Sequence, residues 1–174
     1  MKRILRRVGG VLGGLLMVWT VVGVAAPASA AVPYTVYIRQ EVALTRSLGI
    51  LGTAETRDPV NELLGSAKLW EMNHIQTYQG SWVVTFEYSN SNLCLDKSMD
   101  TTGNTNVYLY PCSGAQNQKW LLQKTGSISG ANLHYIRTFY QGVGGGACLK
   151  TNTTGLSSVG ACNADVDEYA IYAL

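Results

Sequence analysis

The sequence predicts an all-β domain built from three copies of a unit about fifty residues long, preceded by a leader that export would remove. Two independent markers give the repeat. Leu93-Cys94-Leu95-Asp96-Lys97-Ser98 aligns with Ala147-Cys148-Leu149-Lys150-Thr151-Asn152 on the Cys-Leu pair, 54 residues later, and with Val42-Ala43-Leu44-Thr45-Arg46-Ser47, 51 residues earlier. Late in each copy an aromatic follows a polar residue by two: Lys68 and Trp70, Gln118 and Trp120, Asp167 and Tyr169. Those aromatics lie 50 and 49 residues apart. The third observation is local. The copies are rich in short aromatic and β-branched runs separated by Gly and Asn clusters, the mark of strands joined by tight turns.

Tyr34-Thr35-Val36-Tyr37-Ile38, Trp82-Val83-Val84-Thr85-Phe86 and Val107-Tyr108-Leu109-Tyr110 are such runs, as is the stretch from His134 to Tyr140. Ser89-Asn90-Ser91-Asn92, Thr102-Gly103-Asn104 and Gly142 to Gly146 supply turns. Many short strands indicate a barrel or sandwich, and threefold repetition selects a β-trefoil among them. The repeats fall at about residues 34–77, 78–125 and 132–174. One stretch breaks the pattern. Asp58-Pro59-Val60-Asn61-Glu62-Leu63-Leu64-Gly65 has an N-capping residue, Pro at the first helical position and Gly past the end, and predicts a helical turn inserted in the first repeat.

Residues 1–30 predict a signal peptide. Lys2, Arg3, Arg6 and Arg7 precede an apolar run from Val8 to Ala26, and Ala28-Ser29-Ala30 fits a cleavage site. Five glycines dilute the run, and no basic cluster after Ala30 would stop transfer, so cleavage is preferred to a membrane anchor. Arg6-Arg7 supports a twin-arginine route only weakly. Cleavage takes the 13 basic residues down to 9 against 11 acidic, turning a net charge of +2 into −2. That surplus of acid argues against nucleic acid as a partner, and the remaining 31–174 suits one domain with no membrane association. Four cysteines in an exported protein predict disulfides. Three connectivities are possible, and spacing favours Cys94–Cys112 with Cys148–Cys162; no C-x-x-C pair suggests zinc.

The order Cys94-Leu95-Asp96, Val107-Tyr108-Leu109-Tyr110-Pro111-Cys112 and Asn117-Gln118-Lys119-Trp120 resembles one repeat of the ricin-type β-trefoil lectins. The likeness is strong over about 82–122, moderate over 133–174 and weak in the first repeat, which lacks the cysteines and the Gln. It implies that Trp70, Trp120 and Tyr169 pack in a shared core and that sugar sits in a shallow pocket on a repeat. A pyranose offers an apolar face and a rim of hydroxyls, so its site needs an aromatic platform, a carboxylate and an amide. By the resemblance, Asp96 would accept from sugar hydroxyls, Tyr110 would stack, Asn117 would be the amide partner, and Gln118 would support Asp96. Tyr108 takes a rim position that is often polar in the family.

The other repeats lack this set. Lys150 stands where Asp is needed and Gly160 replaces the aromatic; in the first repeat the alignment puts Thr45 at the Asp position and the helical turn at the stacking strand. Catalysis has little support: His74 and His134 lie in no motif, and Asp165, Asp167 and Glu168 read as a solvated turn. No metal or cofactor is implied. The expectation is a secreted, extracellular, non-enzymatic binder of galactose-type or xylan/arabinan-type glycans, with one site in the second repeat. A docking subunit for a separately encoded toxin or hydrolase, and a β-trefoil protease inhibitor, are the alternatives. Asn152-Thr153-Thr154 fits a glycosylation sequon that matters only in a eukaryotic source.

Overall fold

Two β-hairpins with two-residue turns form the most regular part of the fold. Gln79-Gly80 joins β4 (Trp70–Tyr78) to β5 (Ser81–Tyr88), and Ser129-Gly130 joins β8 (Trp120–Ile128) to β9 (Ala131–Thr138). Both turn residues have positive φ, 48° and 80° in the first and 47° and 83° in the second, the twist that matches paired strands. A third pair needs no turn, because it is made by the first and last strands, β1 (Tyr34–Gln40) and β12 (Glu168–Ala173). The computed structural model describes residues 32–41, 44–65, 68–99, 105–140, 146–151, 157–164 and 166–174. The leader, Val42-Ala43, Thr102-Gly103-Asn104, Gly142 to Gly145, Asn152-Thr153-Thr154 and Asp165 lie outside the described residues.

The three pairs close on one another. β1 pairs with β4, β5 with β8, and β9 with β12, so six strands form a barrel without a free edge. Three further hairpins lie off the barrel: β2 (Arg46–Gly49) with β3 (Asn61–Leu64), β6 (Leu93–Lys97) with β7 (Val107–Pro111), and β10 (Cys148–Lys150) with β11 (Ser158–Gly160). Each run of four strands gives its outer two to the barrel and its inner two to a hairpin. This is a β-trefoil of three repeats. The hairpins meet one another: the Val107 N–H donates to the Ser157 carbonyl, and the Ser157 N–H to the Val60 carbonyl.

The core follows the threefold plan. Trp70 and Trp120 open β4 and β8, Tyr169 is the second residue of β12, and all three are fully buried or nearly so. Each spends its one polar atom on a hairpin carbonyl: Trp70 Nε1 donates to Leu48 O at 2.9 Å, Trp120 Nε1 to Leu95 O at 2.9 Å, and Tyr169 Oη to Leu149 O at 3.2 Å. Burial pushes the Tyr169 phenol pKa well above its usual value, so the hydroxyl keeps its proton and stays a donor. Truncating any one ring to Ala would cost roughly 3–5 kcal/mol.

These bonds correct the alignment of the first repeat. Leu48, Leu95 and Leu149 are equivalent, so Gly49, not Thr45, matches Asp96 and Lys150. A second bond agrees: Thr45 O accepts from Gly65 N as Asn92 O accepts from Cys112 N. The predicted helical turn at 58–65 is also overturned. Asn61–Leu64 is strand β3, paired with β2 from Gly49↔Asn61 to Arg46↔Leu64, and Pro59 bridges to Tyr108. Hairpin pairing outweighs the local helix signals, which are weak over so few residues. The Gly does end the element, at φ +69°, but what it ends is a strand.

Cys94–Cys112 and Cys148–Cys162 are bonded and tie the second and third hairpins. The first has Ser47 and Gly65 at those places. Each disulfide contributes roughly 3 kcal/mol by limiting the unfolded chain, so residues 44–65 should be the first cap to open. Native-state hydrogen exchange is expected to show lower protection there than in β6–β7 or β10–β11. Equal protection in the three caps would show that the shared core alone sets opening.

Candidate functional site

β6 and β7 turn Leu95, Val107 and Leu109 to the core and their alternate residues outward. On that outer face Asp96 pairs with Tyr108, and Cys94 with Tyr110. The Tyr108 and Tyr110 rings stand side by side, 6.2 Å between centroids and 62° between planes, with Tyr110 40% exposed and Tyr108 half-buried. A 3-10 turn, Gln116–Gln118, comes down over the hairpin just before Trp120. It brings two successive amides onto one carboxylate.

Asn117 Nδ2 donates to Asp96 Oδ1 at 2.8 Å and Gln118 Nε2 to Asp96 Oδ2 at 2.9 Å. Gln118 is fully buried and committed on both sides: Nε2 also reaches Pro111 O at 2.9 Å, and Oε1 accepts the Ser113 N–H at 2.8 Å. Its orientation is therefore fixed, and it fixes Asp96. Asp96 is only 2% exposed. Burial raises its carboxyl pKa, and the hydrogen bonds from Gln118 and Asn117 pull it back in part. Among the described residues no cation pairs with it. Each carboxylate oxygen keeps a lone pair after these bonds.

The matching pair of positions is filled differently in each repeat. In the third, Lys150 replaces Asp96 and Asp167 replaces Gln118, and Lys150 Nζ meets Asp167 Oδ2 at 2.9 Å. The same oxygen accepts Asn163 N–H at 2.7 Å, as Gln118 accepts Ser113 N–H. Asp167 is thus buried and ion-paired, which corrects the expectation of a solvated turn; Glu168 begins β12. The stem of Lys150 lies over Gly160, where an added Cβ would stand 2.8 Å from Lys150 Cε. In the first repeat a Cβ on Gly49 would stand 2.5 Å from Lys68 Cγ and 2.8 Å from its Cβ, so the Lys68 stem fills the space of the missing carboxylate. Two lysines occupy two of the three equivalent places. Sequence comparison missed the first of these because the repeat was out of register; Gly49 and Gly160 were the available signal.

No family model matches the chain, and no curated protein does. Solved structures do match. The designed 3-fold symmetric protein ThreeFoil has a TM-score of 0.62 at 15% identity, over 80% of this chain and 99% of its own. A mosquitocidal holotoxin gives 0.61 at 15% identity, over 80% of this chain and 17% of that one. The Polyporus squamosus lectin, solved with the human-type influenza-binding epitope Neu5Aca2-6Galb1-4GlcNAc, gives 0.58 at 14% identity, over 81% of this chain and 48% of its own. At these identities the likeness concerns fold alone: the chain has a β-trefoil fold.

The ion pair of the third repeat makes a stability prediction. Lys150→Met keeps the apolar stem and leaves Asp167 buried without its cation, and is expected to cost about 1–3 kcal/mol. Adding Asp167→Asn should recover part of the loss in urea denaturation at neutral pH. A double variant no more stable than Lys150→Met would refute the pairing argument.

Proposed function

We propose that the protein is an extracellular carbohydrate-binding protein of the ricin-type β-trefoil kind, acting through one sugar site in the second repeat. The carrying observation is Asp96. A nearly buried carboxylate held by two amides and no cation costs stability, and the third repeat reaches the same place with an ion pair instead. Such a cost is ordinary where a carboxylate must keep lone pairs for a ligand. Charge-assisted bonds from Asp96 to two adjacent hydroxyls would be the strongest contacts in the site. Tyr110 supplies the exposed ring for the sugar's apolar face, Asn117 the amide, Gln118 the support, and Tyr108 the rim.

Galactose-type and xylan- or arabinan-type glycans are the ligand classes. No catalytic role is assigned, and residues 1–30 act as the export signal. A single site binds weakly, so avidity would come from a multivalent partner. A second reading, a docking subunit of a toxin or hydrolase, is favoured by the holotoxin match, in which a trefoil of this size corresponds to 17% of a larger toxin chain.

A glycan array followed by calorimetric titration tests the first reading. Tyr110→Ala and Asp96→Asn should each weaken binding by about 1–3 kcal/mol, while the first and third repeats contribute nothing. Affinity should also fall on acidification, because only ionised Asp96 accepts from two hydroxyls. Burial holds its pKa above that of an ordinary aspartate, so the loss begins at higher pH. The sign for stability is opposite. With the folded pKa raised, the contribution of Asp96 is fully present below the unfolded pKa and is lost as pH rises through the folded value. Binding unaffected by Asp96→Asn would sink the assignment, and no binding to any glycan would favour the docking subunit.

A further inference from the structure

The hairpins cap one end of the barrel. At the other, where β4 turns into β5 and β1 begins, lies a cavity of about 360 Å³, within the range of small-molecule sites. Its walls follow the threefold plan and then depart from it. Val36 pairs with Trp70, Val84 with Trp120 and His134 with Tyr169, so a histidine stands where two repeats have a buried valine. Two residues earlier on the same strands stand Tyr34, Trp82 and Asn132. The third repeat therefore lacks the aromatic that the other two supply. Opposite His134 on β8 is Lys124, whose counterpart in the third repeat is Ala173.

These substitutions act together. Asn132 and Ala173 are small, so the third repeat leaves open the volume that a third aromatic would fill. Tyr34 and Trp82, 47% and 40% exposed, form one apolar wall with ring centroids 5.8 Å apart. Lys124, His134 and Asn132 supply the polar lining, and among the described residues no carboxylate lines the cavity. His134 Nδ1 is buried without a well-formed hydrogen bond. Burial lowers its pKa first and the charge of Lys124 adds to this, while the Asn132 backbone opposes it.

We propose that the open end of the barrel binds a small amphiphilic anion, a planar apolar body against Trp82 and Tyr34 with one carboxylate facing Lys124 and His134. An anion there would answer an exposed cation that has no ion pair among the described residues and an imidazole nitrogen without a hydrogen-bond partner, and the flat body would cover two exposed rings. This site is separate from Asp96, which lies on the outer face of the second cap hairpin.

Titration calorimetry with 1-naphthoate tests the proposal, with 1-naphthylmethanol as the uncharged analogue. Saturable one-to-one binding of naphthoate is expected, at least tenfold tighter than the alcohol. Lys124→Met should weaken it at least tenfold, and Asn132→Tyr, which restores the aromatic of the other repeats, should abolish it with near-ultraviolet dichroism unchanged. Asp96→Asn should bind naphthoate like the parent. Absence of one-to-one binding, equal affinity for the alcohol, or full binding by Lys124→Met or by folded Asn132→Tyr would each overturn the proposal.

Discussion

Each of three buried aromatic rings carries one polar atom that cannot be left unpaired in the core, and each satisfies it on a hairpin carbonyl. Trp70, Trp120 and Tyr169 bond to Leu48, Leu95 and Leu149, and so fix how every cap sits on the barrel. Burying these donors unsatisfied would cost about 1–3 kcal/mol apiece. The bond has a second effect. It sets the residue two before each aromatic against the residue that follows each leucine. Lys68 meets Gly49, Gln118 meets Asp96 and Asp167 meets Lys150 because the core anchors hold them in register.

One geometric place therefore exists three times, and its chemistry is free to differ. The Lys68 stem packs on Gly49, and the Lys150 charge neutralises Asp167; both arrangements use the space internally. In the second repeat the carboxylate is held by amides with no cation among the described residues, and an exposed aromatic stands beside it. The same logic holds at the open end of the barrel. There the third repeat departs from the threefold rule at Asn132, His134 and Ala173 together, on one side of the ring. A symmetric scaffold makes such departures visible, since the other two copies show what packing alone would put there.

Much of this was legible in the residues. Tight marker spacing and β-rich runs gave the trefoil, and Cys94, Asp96, Asn117 and Gln118 come together in the fold through β6 and the 3-10 turn. The first repeat was not legible. Without cysteines to anchor it, sequence spacing aligns Leu44 with Leu95 in place of Leu48, and Asp58-Pro59 with Gly65 imitate the ends of a helix. Pairing with Arg46–Gly49, distant in sequence, decides that segment as strand. The Lys150–Asp167 pair is hidden for a different reason: in the sequence Lys150 reads as a lost site residue and Asp167 as part of a solvated turn, and only the fold shows that the two charges meet in a buried pair. The barrel cavity left no motif, because its residues come from six strands.

The central claim is that the lysines leave one repeat of three able to take a sugar. Native mass spectrometry of the protein, titrated with oligosaccharides, counts occupied sites directly. One sugar per chain at saturation is the result this account predicts. Two or three per chain would contradict it, since Lys68 and Lys150 would then not be closing the first and third repeats.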